Sequence, residues 1–246
     1  LIPYFKKRGI SYITLTHSKD NKICDSSYDT TRTWRGLSPY GYKVLDEMQK
    51  SGIMVDISHV SDSTFYQTLR YVKVPVIASH SSCRKFTPGF ERNMDDDMIK
   101  MLPKNGGVIM VNFGTSFLDN NIGKRNDSLR NIYLTQLSEK GWKDGSEEAK
   151  MFAETFQKQH PKLYADVETV ADHIDHIVAL AGVDYVGFGS DFDGVGDSLP
   201  TGLKDVSQYP NLIYVLLKRG YSEKDIKKMC SGNLFRVWSK VLKSKG

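Results

Sequence analysis

The sequence predicts an α/β fold built around a parallel sheet. Three observations support this prediction: short apolar, β-branched runs recur along the 246 residues, helical patterns separate them, and the two kinds of segment alternate. Apolar runs of about five residues are typical of strands that are buried on both faces, as in parallel sheets. Strands that alternate with helices indicate βα units. The predicted strands are residues 11–16, 53–58, 74–79, 107–112 and 185–189.

Capping residues set the predicted helix boundaries. Ser38 and Pro39 combine an N-cap with a first-turn proline, and Gly52 ends the helix that they begin. A later pattern, residues 222–225, resembles a capping box that opens the last helix, which we expect to continue through Trp238. Of the helices in between, Ser61 caps the first, Asp95 or Asp96 starts the second, and a long one extends from Asp166 to Leu180.

Residues 116–161 differ from the rest of the chain. This stretch is long, polar and only weakly periodic, and it separates the fourth predicted strand from the fifth. We interpret it as a helical excursion from the βα pattern that covers a site.

Composition excludes several classes of protein. Hydrophobic residues make up 39% and charged residues 26%, which is typical of a globular domain and not of a disordered or collagen-like chain. No apolar run reaches the ~18 residues that a membrane span needs. The net charge of +5 arises from residues 218–246, which contain nine basic and two acidic residues. A solvated basic helix explains this segment, and no nucleic-acid-binding pattern is present. Three scattered cysteines exclude a disulfide scaffold but leave one disulfide open.

Chemically active side chains follow four of the five predicted strands. His17, His59 and His80 come after the first three strands, and Asp191 comes after the fifth. A single histidine at a strand end is more often structural, but a given position in this chain holds histidine with a chance of only about one in forty. Because chemistry in parallel α/β folds collects at the carboxyl ends of strands, we expect these four side chains to lie together.

The four side chains fit a metal centre. Neutral imidazole is a good ligand for Zn²⁺, and neighbouring strands about 5 Å apart bring their side chains within reach of one ion. His59 and His80 belong to consecutive βα units, so their strands are expected to be neighbours. Asp191 could bind the metal or take a proton from metal-bound water. Asp193 is the competing carboxylate, but its place in the turn is better suited to capping or orienting the loop.

The other three histidines carry weaker signals. His173 and His176 form an i, i+3 pair that could bind a metal, but apolar neighbours at helical spacing favour packing and surface roles. His160 precedes a proline and is interpreted as a solvated loop residue.

Five motifs connect these residues to a known family. They are TLTHS at 14–18, GLSPYG at 36–41, VDISHV at 55–60, ASHSS at 78–82 and GSDFDG at 189–194. Together with GNLFRV at 232–237, they resemble the membrane (renal-type) dipeptidases, zinc enzymes with an amidohydrolase-like TIM-type (β/α)8 barrel. The resemblance covers nearly the whole chain and implies that residues 1–246 form one catalytic barrel domain.

The resemblance implies a role for each matching residue. His59 and His80 would be ligands of the second zinc ion of a two-zinc centre. His17 would contact the substrate carbonyl and the tetrahedral intermediate, and Asp191 would pass a proton from the attacking water to the leaving amine. Arg92 would bind the terminal carboxylate of the dipeptide, since its planar fork suits two oxygens. A surface arginine with a structural role is the alternative for Arg92.

The chain departs from the family pattern at the first zinc. The family's His-x-Asp pair and its bridging glutamate are absent from this chain, which begins at what resembles the run-up to the fourth barrel strand. Five strands cannot close an eight-stranded barrel, so half a metal site and an open sheet edge would result. We therefore expect the C-terminal portion of a longer protein, with about five of eight βα units. The missing N-terminal part would be a cleaved segment or another chain.

The expected function is zinc-dependent hydrolysis of dipeptides that have a free C-terminal carboxylate. Two alternatives remain open. One is another barrel metal hydrolase, such as a deaminase or lactonase, and the other is a non-catalytic fragment that acts only as a binding or interaction protein. The resemblance also implies a homodimer located at the cell envelope or outside the cell, although we recognise no targeting signal in the first residues.

Overall fold

The sheet in the computed structural model, which describes residues 1–244, is parallel throughout and confirms the predicted α/β class. Its strands lie side by side in chain order, which is the order of a barrel sheet and not of a doubly wound sheet. Within the described residues, the first and last strands form the two edges. The strands are β1 (Tyr12–Thr14), β2 (Met54–Asp56), β3 (Ile77–Ala78), β4 (Val108–Val111) and β5 (Val186–Phe188).

The strands are shorter than predicted, and β3 shows why. The prediction covered residues 74–79, but β3 contains two residues because Pro75 has no N–H to donate to a neighbouring strand. The Asn105 side chain makes hydrogen bonds to this backbone in place of those that a neighbouring strand would make. Its Oδ1 accepts from the Val76 N–H at 2.9 Å, and its Nδ2 donates to the Val74 carbonyl at 3.2 Å.

Helices connect the strands. The α-helices are α1 (Ile2–Lys7), α2 (Pro39–Ser51), α3 (Asp62–Tyr71), α4 (Asp96–Asn105), α5 (Thr115–Leu118), α6 (Asn120–Glu139), α7 (Glu147–Gln159), α8 (Val167–Ala181), α9 (Tyr209–Lys218), α10 (Glu223–Lys227) and α11 (Asn233–Lys243).

The predicted helix starts are confirmed, because the side chain of each predicted N-cap accepts a backbone N–H of the first turn. Of the two aspartates proposed for the start of α4, Asp95 is the cap. At the other end of a helix, Gly52 ends α2 as predicted, in the left-handed conformation with a φ of 65°. Residues 222–225 form the capping box that their sequence predicts. The capping side chains are Ser38, Ser61, Asp95, Asp166 and Ser222.

The last helix is interrupted, so the prediction of a continuous helix to Trp238 is wrong. A π-helical turn, Lys228–Gly232, separates α10 from α11. Ile226 before the turn and Met229 within it pack in the core outside the sheet, whereas Val237 of α11 packs against the inner face. The widened turn therefore carries the chain from one face of the sheet to the other.

The two faces of the sheet have separate cores. Alternate strand residues point to opposite sides, so Val55 and Ile109 join the large outer core while Met54 and Val108 face inward. The inner residues pack against Val237 and Val241 of α11. Burial of these apolar side chains attaches α11 to the sheet, at about 25 cal/mol for each Å² removed from water.

An arginine fixes α11 at the amino ends of the strands. The Arg236 guanidinium donates to the carbonyls of Gly106 and Gly107, which precede β4, at 2.5 and 3.1 Å. It also donates to the carbonyl of Asp184, before β5, at 2.8 Å. The amino end of the sheet is thus covered, and its carboxyl end is left for other residues.

Two helices, α6 and α7, occupy most of the segment that the sequence interprets as an excursion. A cleft of about 500 Å³ lies between them, and its walls include Tyr133 and Phe156 but none of the histidines at the strand ends. Among residues 1–244, no helix combines the length and the apolar character that a transmembrane span requires.

Candidate active site at the carboxyl end of the sheet

The four predicted site residues all lie at one end of the sheet. His17, His59, His80 and Asp191 each follow the last residue of their strand within three positions. Since the strands are parallel and adjacent in the order β1-β2-β3-β4-β5, the loops that carry these side chains are neighbours.

His59 and His80 are in direct contact. Their Nε2 atoms are 2.8 Å apart, and their ring centroids are 4.8 Å apart. His59 is 7% exposed and has a φ of 70°, a left-handed conformation that is unusual for a residue other than glycine. The two ring nitrogens point toward each other and lie at hydrogen-bond distance.

His17 completes a row of three rings. It stacks on His59 with a centroid distance of 4.3 Å and an interplanar angle of 30°. Its Nδ1 lies 2.6 Å from the Ser18 hydroxyl, and its side chain is exposed. An exposed ring beside the other two is accessible to a molecule arriving from solvent.

Burial keeps the pair neutral. The pKa of His59 is lowered to about 2, mainly by burial and then by the charge of Arg92. The pKa of His80 is also lowered, by burial first and then by Arg92, against the opposing charges of Asp56 and Asp191. Neutral imidazole is the form that binds a metal ion, because its free lone pair is the ligand.

Asp191 is held by an asparagine at the end of β4. Nδ2 of the buried Asn112 donates to Asp191 Oδ2 at 2.8 Å, and Asn112 Oδ1 accepts from the Gly114 N–H at 2.7 Å. Asp191 has a φ of 62°, and a Cβ atom at Gly194 would collide with its carboxylate. Asp193, the competing carboxylate, is exposed on the turn.

Arg92 is buried, so the alternative of a surface arginine is wrong. It is 3% exposed, and it donates to the Ser81 hydroxyl and to the His80 carbonyl, both at 2.8 Å. Burial lowers the pKa of Arg92 to about 10, which leaves the guanidinium charged at neutral pH. Its Nε is buried without a hydrogen-bond partner among residues 1–244.

Sequence reasoning missed two residues near the site. Asn112 ends the fourth apolar run, and a polar residue at that position was an available signal. Tyr28 lies in the loop after β1, with its ring centroid 6.1 Å from that of His59. Burial raises the pKa of Tyr28, and the nearby charge of Arg92 opposes this rise. No pattern in the sequence singled out Tyr28.

The residues present fit one half of a zinc site. The donor set is two neutral imidazoles, and Nδ1 of His59 is buried with no partner among the described residues. A tetrahedral ion needs further ligands. Within residues 1–244, no group of three or more His, Cys, Asp or Glu side chains is arranged to supply them.

The remaining histidines and the cysteines lie away from this site. His173 is fully buried: its Nδ1 accepts from the Cys83 N–H at 3.1 Å, and its Nε2 lies 3.0 Å from the Leu118 carbonyl. His176 bonds to Asp96 at 2.7 Å. Packing and surface roles therefore account for both. The three cysteines are unpaired, so the disulfide left open by the sequence does not form.

Acid should destabilise the fold through His173. Burial lowers its pKa to about 4, against about 6.5 in the unfolded chain. The unfolded state therefore takes up a proton first as the pH falls below 6.5, and the free energy of unfolding should drop by about 2 kcal/mol between pH 7 and 5 from this group. Urea unfolding of the wild type and of His173→Gln at both pH values measures this drop in the free energy of unfolding. The variant should be less stable than the wild type at pH 7 but should lose less free energy of unfolding on acidification. Equal losses in the two proteins would show that His173 is not the source of the acid sensitivity.

The chain is similar to known proteins over nearly its whole length. The family model described as "Membrane dipeptidase (Peptidase family M19)" matches residues 1–245. An uncharacterized dipeptidase of Schizosaccharomyces pombe is 37% identical over 236 residues, which are 95% of this chain and 47% of the relative. Dipeptidase 3 of Mus musculus is 34% identical over 241 residues, 96% of this chain and 40% of the relative. The chain thus spans less than half the length of these curated relatives.

Solved structures share the fold. The probable dipeptidase PvdM from Pseudomonas aeruginosa superposes with a TM-score of 0.77 at 26% identity, covering 98% of this chain and 65% of that one. A metallo peptidase from Rhodobacter sphaeroides, liganded with a phosphinate mimic of L-Ala-D-Ala, gives a TM-score of 0.74 at 24% identity and covers 97% and 57%. These likenesses bear out the predicted barrel-type sheet, of which this chain holds a part.

Proposed function

Because the chain belongs to the membrane dipeptidase family, peptidase family M19, we propose that the protein hydrolyses the peptide bond of dipeptides in a zinc-dependent reaction. The observation that carries this proposal is the convergence of two neutral imidazoles, the buried His59 and the half-buried His80, with Nε2 atoms 2.8 Å apart, at the carboxyl end of the sheet. In this proposal residues 1–246 form one catalytic barrel domain, with α6 and α7 as an excursion from it, and the protein is a homodimer.

His59 and His80 are the residues that would hold zinc through their Nε2 atoms. When bound, zinc polarises the peptide carbonyl and makes a water molecule more acidic. The protein's own contribution is to keep both rings neutral and immobile, and it does so by burying them beside the positive charge of Arg92.

Asp191 is the proposed proton carrier. Its carboxylate takes a proton from the attacking water and delivers it to the leaving amine, which is general acid–base catalysis. The hydrogen bond from Asn112 holds one carboxylate oxygen, so the other is the atom assigned to the proton. The space at Gly194 lets the carboxylate occupy this position.

Arg92 and His17 are the proposed substrate contacts. A guanidinium carries five N–H groups, and Arg92 uses two of them in its hydrogen bonds to Ser81 and His80. We assign remaining donors to the C-terminal carboxylate of the dipeptide, which would restrict substrates to those with a free carboxylate. His17, the exposed ring of the row, is assigned to the carbonyl oxygen of the scissile bond, where negative charge develops.

Metal removal tests the proposal. We expect the purified protein to release free amino acids from a panel of dipeptides, to lose this activity after treatment with a chelator, and to regain it when zinc is added. Dipeptides with an amidated C-terminus should be poor substrates, because they lack the carboxylate assigned to Arg92.

Lactones and nucleosides are the controls for the other functions that the sequence leaves open. Turnover of either, without turnover of dipeptides, would identify a different metal hydrolase. Turnover of none of the three would favour a binding protein and contradict the proposal.

A further inference from the structure

A carboxylate that the proposed mechanism does not use lies at the end of β2. Asp56 is fully buried, and its two oxygens accept four hydrogen bonds. Oδ1 accepts the backbone N–H groups of Ser58 and Ser79, each at 3.0 Å, and Oδ2 accepts the hydroxyls of Thr14 and Ser79, each at 2.6 Å. These donors come from the ends of β1, β2 and β3, so the carboxylate connects three strands directly under the histidines.

The Ser79 hydroxyl links this carboxylate to His80. Ser79 Oγ lies 2.6 Å from Asp56 Oδ2 and also 2.6 Å from His80 Nδ1. A hydroxyl has one proton to donate and two lone pairs that accept. Because a carboxylate oxygen only accepts, the hydroxyl proton goes to Asp56, and Ser79 Oγ accepts from His80. The Nδ1 atom of His80 therefore carries the ring proton.

This chain of bonds determines which nitrogen of His80 is free. With the proton on Nδ1, the neutral ring has its lone pair on Nε2, the atom that faces His59. We propose that Asp56 and Ser79 are positioning residues that hold His80 in the Nδ1–H tautomer and present its Nε2 lone pair to the metal. The tautomer follows from the hydrogen bonds alone, and its use in metal binding rests on the proposed function.

The backbone of His80 is fixed as firmly as its ring. The His80 N–H donates to the Ser58 hydroxyl at 3.0 Å, and its carbonyl accepts from Arg92 at 2.8 Å. His59 differs, because its Nδ1 has no partner among residues 1–244. With the lone pair on His80 Nε2, the 2.8 Å contact between the two Nε2 atoms is a hydrogen bond that His59 Nε2–H donates, so neutral His59 carries its proton on Nε2 when no metal is bound. Of the two imidazoles, His80 is thus the pre-oriented one.

Two matched variants test the proposal. Ser79→Ala and Thr14→Val each remove one hydroxyl bond to the same oxygen of Asp56, but only the first breaks the link to His80. The tautomer of His80 is measured on the metal-free chain, labelled with ¹⁵N-histidine, from its ring ¹⁵N shifts at pH 8. A His80→Gln variant identifies the signals. Zinc affinity is measured by competition with a chelating dye.

In the wild type and in Thr14→Val, we expect a protonated Nδ1 and an unprotonated Nε2 on His80. In Ser79→Ala the proton should move to Nε2, and zinc affinity should fall about 10-fold or more, the usual cost of losing a partner of a metal ligand. In Thr14→Val the affinity should stay within about 2-fold of the wild type.

Three results would overturn the proposal: a Ser79→Ala variant that keeps the Nδ1 proton, a Thr14→Val variant that loses it equally, or unchanged zinc affinity after the tautomer shift. Absence of zinc binding to the wild type is a separate failure, because it would count against the metal in the proposed function. The ¹⁵N shifts would still decide whether Asp56 and Ser79 set the tautomer.

Discussion

Replacing Asp191 by asparagine is expected to lower kcat for dipeptide hydrolysis about 1,000-fold while zinc stays bound. Asparagine has nearly the same shape, and its side-chain oxygen can still accept the hydrogen bond from Asn112. It cannot take up a proton from water, so only proton transfer is lost. The measurements are kcat for a dipeptide and zinc content per mole of protein.

Asp193→Asn is the matched control for this variant. Asp193 is exposed and lies two residues further along the same turn, so kcat should stay within about 2-fold of the wild type. Near-normal turnover in Asp191→Asn would remove the proposed proton carrier. If the variant lost both its zinc and its activity, Asp191 would instead be a metal ligand, the other role that the sequence allows for it.

Gly189→Ala should destabilise the fold strongly. A Cβ atom at this position would lie 2.5 Å from the Ser79 carbonyl oxygen and 2.6 Å from that of Met110. Both neighbours are backbone atoms at the ends of β3 and β4, which cannot move aside as a flexible side chain could. We expect the free energy of unfolding to fall by at least about 3 kcal/mol, in the upper range for an overpacked core.

Gly187→Ala separates this clash from a general effect of alanine in β5. Its Cβ atom would lie 3.2 Å from the Met229 carbonyl oxygen and 3.5 Å from Met110 Cγ. A shift of a few tenths of an ångström relieves such contacts, so the expected cost is below about 1 kcal/mol. Urea unfolding curves of both variants compare the two. If both variants lost the same free energy of unfolding, the strand ends would be less closely packed than these distances indicate.

Local sequence signals were sufficient for most of the fold. Ser38, Ser61 and Asp166 begin helices because capping depends on the neighbouring three residues, which the sequence displays directly. The side-chain bonds that flank β3 and the π-helical turn depend on contacts between distant segments. The Asn105 side chain bonds the backbone of Val74 and Val76, about 30 positions away, where a neighbouring strand would otherwise bond. The π-helical turn follows from packing against both faces of the sheet.

The candidate site was predictable in part for the same reason. His17, His59 and His80 could be placed together because the carboxyl ends of adjacent parallel strands share one edge. The partners of Asp56 could not be inferred, since they lie 42 positions before it and 23 positions after it and meet only through the alignment of three strands. A charged residue inside an apolar run nevertheless indicates a buried carboxylate that has hydrogen-bond or charge partners.

The location of α11 has an evolutionary consequence. Arg236 and Val237 secure one rim of the sheet, whereas the imidazoles occupy the opposite rim. The positions that stabilise the sheet and the positions assigned to the reaction are therefore separate sets, on which selection can act separately. Substitutions in α11 that change thermal stability are expected to leave the arrangement of the imidazoles unchanged.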